Sequence, residues 1–210
     1  MPRERGSSRD LAEPLLGFAA ILLVLWLPTR EQVILGPVAL LAPLAVVLWR
    51  RPSVNDLGLG LRQFVHSFWI LPAAVALSVV GIALARSLGT FHPLHSANLA
   101  GAGGYVLWTI YQQFLLQDYF MPRLARGLTS ERAITLVAFL FAAAHLPNVP
   151  LTIATLFWGA GSCLLFRRYR SVYVLGLAQG IVGLCFAVCI PDVMLHHMRV
   201  GLGFLQYHHG

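Results

Sequence analysis

Charged residues are scarce in this chain of 210 residues, and lysine is absent. Only 11% of the residues are charged, against about 25% in soluble domains, which argues against a water-soluble enzyme. Hydrophobic residues make up 58%, and they recur in runs of about 20, the length that crosses a bilayer. We therefore predict an all-α fold, a polytopic transmembrane helical bundle in contact with the lipid bilayer. Because no hydrophilic stretch could fold separately, residues 1–210 are expected to form a single transmembrane domain.

Metal ligands are also few. The three cysteines lie inside apolar segments and form neither a disulfide framework nor a Cys-x-x-Cys pair. Two groups of histidines lack the further ligands or the fixed frame that zinc needs. We therefore predict no metal and no cofactor. The residues considered are Cys163, Cys185 and Cys189; His92 and His95; and His196, His197, His208 and His209.

All fifteen basic residues are arginine, and the net charge is +7. They do not cluster on one basic face, so nucleic-acid binding is not expected. Twelve fall in alternate loops, which by the positive-inside rule places the N-terminus in the cytoplasm and the C-terminus outside. We expect an integral protein of a bacterial-type plasma membrane. The four groups are Arg3, Arg5, Arg9; Arg50, Arg51, Arg62; Arg123, Arg126, Arg132; and Arg167, Arg168, Arg170.

The apolar runs predict about seven spans. A proline-rich break at 147–150 separates the fifth from the sixth, because proline disrupts a helix. The predicted spans are Leu11–Pro28, Val33–Trp49, Ser67–Leu88, Leu99–Met121, Ala133–Val149, Leu151–Phe166 and Val172–Ile190.

Polar residues lie inside three of these spans. The fourth span holds Gln112, Gln113, Gln117 and Asp118, the fifth holds His145 four residues after Phe141, and the seventh holds Gln179 four residues before Gly183. Counting about 1.5 Å per residue, Gln112, His145 and Gln179 fall in the middle third of the membrane. Exposing such side chains to lipid is costly. We therefore predict that the fourth, fifth and seventh spans are neighbours and that these side chains form one polar cluster.

The order and spacing of these residues resemble the CaaX-protease and bacteriocin-processing (CPBP) family of intramembrane endopeptidases. The resemblance covers about residues 57–183 and includes a Leu-Gly-Leu-Arg connector at 59–62. In that family, Glu-Glu-x-x-x-Arg, Phe-x-x-x-His and His-x-x-x-Asn/Asp motifs activate a water molecule that attacks a peptide bond. Here the second motif is intact as Phe141 and His145. The first becomes Gln112, Gln113 and Gln117, and the third becomes Gln179 and Gly183.

These replacements remove the carboxylates on which the family chemistry depends. An amide resembles a carboxylate in shape and forms hydrogen bonds, but it cannot serve as a general base. Two glutamines and one histidine would also be a poor set of metal ligands. Asp118 is the one acidic residue in this group, and it is either a displaced base or, as we prefer, a partner of Arg123 near the cytoplasmic interface.

Three functions remain open at this point. The first is a catalytically degenerate CPBP-like protein that acts as an accessory or scaffolding subunit with membrane-protein partners. The second is an intramembrane CaaX-type endopeptidase that uses His145, with or without Asp118, in an altered mechanism. The third is a subunit that binds lipid or pigment. A simpler alternative needs no active site. The polar residues would then serve solely to join helices, since interhelical hydrogen bonds contribute roughly 0.6–2 kcal/mol each.

Overall fold

The structure is a computed structural model that describes residues 8–93 and 99–207. In this part of the chain all regular secondary structure is helical and no β-strand occurs. A six-residue π-helical segment, Leu115–Phe120, joins α5 to α6 without a break. The helices are α1 Ser8–Leu25, α2 Thr29–Trp49, α3 Leu61–Ser67, α4 Ile70–Ser87, α5 Leu99–Phe114, α6 Met121–Gly127, α7 Ser130–Ala143, α8 Val149–Tyr169, α9 Val172–Cys189, α10 Asp192–Leu195 and α11 Leu202–Leu205, with a 3₁₀ turn at His196–Met198.

The chain divides into two compact units. Unit 1 takes the described residues within Met1–Pro52, Leu115–Leu164 and Arg199–Gly210, and unit 2 takes those within Ser53–Phe114 and Leu165–Met198. The expectation of a single domain stays a prediction.

In unit 1, α1 packs against α2 and α6, and the π segment contacts α2 and α7. An edge-to-face contact between Phe18 and Phe120, with ring centroids 6.3 Å apart, joins α1 to the π segment. A Cβ atom placed on Gly17 would overlap the hydroxyl of Tyr119, so α1 approaches the π segment closely at that glycine. This packing fixes the π segment, which carries two of the predicted site residues.

In unit 2, α9 packs along both α4 and α5. A Cβ atom on Gly176 would lie 2.5 Å from Cα of Ile110, so only glycine allows α9 and α5 to approach this closely. The hydroxyl of Thr109 donates to the main-chain oxygen of Gly176 at 2.8 Å. Small residues at such crossings let transmembrane helices pack backbone to backbone, and this crossing positions the glutamines one turn further along.

Each of the seven predicted spans overlaps a helix, and the predicted break lies near the connection between α7 and α8. Four helices of the described chain are long and apolar enough to cross a membrane: Thr29–Trp49, Leu61–Ser87, Val149–Tyr169 and Val172–Cys189. The shorter apolar stretch Leu11–Leu25 belongs to α1. At 14 residues α7 is only about 21 Å long. The number of about seven spans is therefore not confirmed.

Candidate functional site

Three glutamines form a chain of hydrogen bonds in unit 2, which we call the amide triad. Gln113 donates from Nε2 to Oε1 of Gln179 at 2.7 Å. Gln179 in turn donates from its own Nε2 to Oε1 of Gln112 at 2.6 Å. Gln113 is fully buried and Gln179 is 9% exposed, while Gln112 is half-buried. Both polar atoms of the Gln179 amide are therefore bonded within the triad.

The local sequence explains why these side chains meet. Thr109 and Gln113 are one helical turn apart on α5, on the face that packs against α9. Gly176 and Gln179 are about one turn apart on α9, so the two helices meet first at a glycine and then at a pair of amides. The predicted meeting of the glutamines is found. The spacing of Thr109 and Gln113 is a signal that sequence inspection could have used.

The last position of the third motif is filled by another residue. A Cβ atom placed on Gly183 would overlap the hydroxyl oxygen of Tyr105 and lie 3.1 Å from its Cζ atom. The phenol of Tyr105 thus lies where the family's Asn or Asp side chain would begin. Tyr105 was not among the predicted site residues, although it lies four residues before Thr109 and eight before Gln113 on α5.

Gln117 and Asp118 lie in the π segment, within unit 1, and both side chains are buried. Gln117 directs Nε2 toward Oγ of Ser162 at 3.4 Å and Sγ of Cys163 at 3.7 Å, both on α8. The Ser162 hydroxyl donates to the main-chain oxygen of Gly159 at 3.1 Å, which leaves its lone pairs to accept from Gln117. π-Helical turns occur often at functional sites because they alter which side chains face a neighbouring helix.

Arg123 is bound differently from the expected pairing with Asp118. Its Nε donates to Oε1 of Glu13 at 2.7 Å, and its Nη1 donates to the main-chain oxygens of Tyr119, at 2.8 Å, and Asp118, at 3.2 Å. The guanidinium also lies over the Tyr119 ring, 4.3 Å from the centroid. Glu13 is bridged to Arg50 as well, at 3.3 Å. The contact of Arg123 with Asp118 is thus to the main chain, and Glu13 provides the carboxylate.

His145 follows α7 directly, in unit 1. Its Nδ1 lies 2.7 Å from the main-chain oxygen of Phe141, and the two rings meet edge to face, 4.8 Å between centroids. The hydrogen bond requires a proton on Nδ1, which leaves Nε2 as the basic nitrogen of a neutral ring. The Phe-x-x-x-His motif therefore forms a local structural unit. The meeting of His145 with the glutamines of unit 2 stays a prediction.

The remaining candidates contribute no metal site among the described residues, where no group of three His, Cys, Asp or Glu side chains could hold an ion. Cys163 is buried, and Cys185 and Cys189 are half-buried with their sulfurs 3.7 Å apart. His92 binds the main-chain oxygen of Ile190, and His197 contacts Asp192 at 3.2 Å. His95, His208 and His209 lie outside the described residues.

Part of the chain resembles a known protein family. Residues 97–185 match the model of the Rce1-like family, described as type II CAAX prenyl endopeptidase Rce1-like. The matched segment contains the positions of all three motifs and the amide triad, and it confirms the resemblance to CaaX-type endopeptidases. No curated protein and no solved structure matches the chain.

Proposed function

We propose that this membrane protein, whose residues 97–185 resemble the Rce1-like endopeptidases, is catalytically degenerate and serves as an accessory or scaffolding subunit of a membrane complex. The observation that carries the proposal is the amide triad. Gln112, Gln113 and Gln179 occupy positions where the family has two glutamates and a histidine, and they bond to one another. The triad joins α5 to α9, which is a structural role that needs no reaction.

The chemistry of the triad supports this proposal. In the family, a carboxylate takes a proton from the attacking water, and a neutral amide has no comparable basicity. Both polar atoms of the Gln179 amide are already engaged by Gln112 and Gln113. Water that entered would have to compete with two short amide hydrogen bonds, and it would find no base there.

Tyr105 provides independent support. The phenol occupies the space next to Gly183, at the last position of the third motif. A chain that had lost only its glutamates would retain that space for a polar side chain. Here the tyrosine fills that space, which is the packing that a lost motif would allow.

An intramembrane endopeptidase with an altered mechanism is the second candidate. It is favoured by one observation: His145 and Asp118 are both buried in unit 1, at 8% and 7% exposure. The neutral His145 ring, whose Nδ1–H donates to the main-chain oxygen of Phe141, would present a basic Nε2. In that mechanism His145 or Asp118 would remove a proton from the attacking water.

Two variants separate the proposals, His145→Ala and Asp118→Asn. We would purify the unmodified protein and both variants, incubate each with membrane-anchored peptides including C-terminal CaaX sequences, and follow cleavage by mass spectrometry. In parallel, blue native electrophoresis of membranes would report whether the chain enters a larger complex. A scaffold predicts no cleavage by any of the three proteins and the same complex in all of them, provided that each variant folds.

The endopeptidase with an altered mechanism predicts a different result. Suppose that the unmodified protein cleaves a peptide and that either variant loses about 10²–10⁴-fold in rate, the usual contribution of a general base, while its thermal unfolding is unchanged. The scaffold proposal would then be wrong. Gln179→Leu is the matched control, because it alters the family-motif position and leaves His145 and Asp118 in place.

A further inference from the structure

Helices α3 and α4 together are too long for the hydrocarbon core. The run Leu61–Ser87 has 27 residues, which corresponds to about 40 Å at 1.5 Å per residue, whereas the core is about 30 Å thick. The excess of roughly two turns equals the length of α3, the short helix that a two-residue turn at 68–69 joins to α4. We therefore place α3 in the headgroup layer.

Aromatic rings join α3 to the end of α8. The Tyr169 ring lies 5.2 Å from the ring of His66 and 5.5 Å from that of Trp69. Trp69 is 49% exposed, and Tyr169 is half-buried. Tryptophan and tyrosine concentrate at the level of the lipid headgroups because their rings are apolar with one polar end. These contacts bring the end of α3 and the start of α4 beside the last turn of α8.

The loop before α3 holds this arrangement in place. The main-chain N–H of Val172 donates to the oxygen of Gly58 at 3.1 Å, and Nη2 of Arg170 donates to the main-chain oxygen of Asp56 at 2.9 Å. Gly58 has φ of +63°, and a Cβ atom there would lie 2.7 Å from the main-chain oxygen of Arg170. Only glycine fits both the conformation and the space. The loop before α3 is thus held against the α8–α9 connection by these hydrogen bonds and by close packing at Gly58.

Three arginines lie within about one helical turn, along the chain, of His66 or Tyr169. Arg62 precedes His66 by one turn on α3, and Arg167 and Arg168 lie on the last turn of α8; all four side chains are exposed. The nearby carboxylate of Asp56 accepts from the hydroxyl of Ser53 at 2.7 Å and from its N–H at 3.2 Å. These two bonds lower the pKa of Asp56. They also hold the carboxylate against Ser53, within its own loop. The surface keeps an excess of positive charge.

We propose that this basic–aromatic surface, formed by Arg62, His66, Trp69, Arg167, Arg168 and Tyr169, binds the phosphate headgroup of an anionic phospholipid. Guanidinium groups bind phosphate with two parallel hydrogen bonds and remain charged at every physiological pH. The rings of Trp69 and Tyr169 would contact the glycerol region and the first part of the acyl chains. The proposal is independent of whether the amide triad is catalytically silent.

The test compares two double variants of the full chain. Arg167→Gln with Arg168→Gln removes two charges from the surface, and Arg126→Gln with Arg132→Gln removes two exposed arginines elsewhere. Native mass spectrometry of detergent-solubilised protein, titrated with phosphatidylglycerol or phosphatidylcholine, would give the affinity for each lipid. From the usual contribution of a basic residue near an anionic surface, the first variant should bind phosphatidylglycerol roughly thirtyfold more weakly. The second variant should change by less than about threefold.

Several results would overturn the proposal. Equal weakening in both double variants would mean that only net charge matters, and equal binding of both lipids by the unmodified protein would remove the role of the headgroup charge. Displacement of the lipid by an equimolar concentration of inorganic phosphate would mean that the site takes free phosphate instead. A third variant, Tyr169→Leu, checks the aromatic part: it should weaken phosphatidylglycerol binding and leave displacement by phosphate ineffective. All the altered side chains lie at the surface or are half-buried, so thermal unfolding should confirm that each variant is folded.

Discussion

The phenol oxygen of Tyr105 occupies the position where a side chain on Gly183 would begin. The two residues face each other across the contact between α5 and α9, in the same unit as the amide triad. The absence of a side chain at residue 183 is therefore matched by a large side chain at residue 105. Both residues are part of the packing between α5 and α9.

Restoring a side chain at residue 183 should destabilise the protein. Gly183→Asn, which restores the residue type of the family motif, would push against Tyr105, and overpacking of this kind costs roughly 1–3 kcal/mol. Unfolding in mixed micelles, followed by far-ultraviolet circular dichroism against SDS fraction, measures the change. Gly103→Ala is the matched control, because a Cβ atom there meets no atom within 4 Å, and it should be neutral or slightly stabilising.

The coupling itself is tested by adding Tyr105→Ala to Gly183→Asn. If the two residues compete for one space, the double variant should recover part of the stability that the single glycine variant loses. Additive losses in the double variant would show that Tyr105 is not what excludes the side chain.

Gln179 should contribute more to stability than either of its partners. Gln179→Leu removes two hydrogen bonds, the one that Gln113 donates and the one that Gln112 accepts. We expect a loss of about 1–3 kcal/mol in the free energy of unfolding, measured in the same micelle titration.

A triple variant with leucine at residues 112, 113 and 179 serves as the control. Replacing all three by apolar groups of similar size removes both members of each hydrogen bond within the triad, and such replacements can be nearly neutral. The triple variant should therefore be more stable than Gln179→Leu alone. If it loses the sum of the three single effects, the glutamines do not act as one connected group.

Much of this architecture could be predicted from hydropathy. All seven apolar runs became helices, and the prolines at 147 and 150 placed the break correctly, because proline acts locally and needs no partner. The number of helices that cross the membrane is harder to predict from hydropathy. Helix α7 has only 14 residues, and the run through α5 continues past Phe114 into the π segment with Asp118. Neither length nor composition alone decides where such helices lie.

The candidate site was predictable only in part. Gln112, Gln113 and Gln179 were identifiable because amides are rare and costly in apolar spans. Tyr105 was not, since an aromatic residue in a span is usually packing, and its role depends on the missing side chain of Gly183. Glu13 was missed as well. It lies 110 residues before Arg123 in sequence, and only the packing of α1 against α6 brings the two together.

The predicted orientation can be tested on the two ends of α9. Arg168→Cys and Val193→Cys, each in a background in which the three native cysteines are replaced by alanine, place one exposed thiol at either end of the helix. A membrane-impermeant maleimide should label residue 193 in intact cells and residue 168 only after permeabilisation, because the arginine-rich loop is predicted to be cytoplasmic. The reverse pattern would invert the topology. Labelling of both thiols from the same side would contradict the crossing of α9.

Arg123 and Arg50 should differ sharply in importance although both pair with Glu13. The Arg123 side chain is 3% exposed and is bonded to Glu13 at 2.7 Å, whereas the Arg50 side chain is 41% exposed and lies at 3.3 Å. Arg123→Ala removes a buried charge from its carboxylate and leaves the main-chain oxygens of Asp118 and Tyr119 without their donor. It should therefore destabilise unit 1 by about 3 kcal/mol.

Arg50→Ala is the matched comparison, because it removes the same charge from the same carboxylate. An exposed ion pair contributes at most about 1 kcal/mol, and salt screens it. The stability of Arg50→Ala should therefore approach that of the unmodified protein in 0.5 M NaCl, on the order of three times the ionic strength of physiological buffer. The deficit of Arg123→Ala should persist, since its hydrogen bonds to the main chain are buried and poorly screened. Equal losses in the two variants would mean that Glu13 needs only a nearby positive charge. A larger loss in Arg123→Ala at both salt concentrations would identify the buried guanidinium as the group that fastens α1 to the π segment and α6.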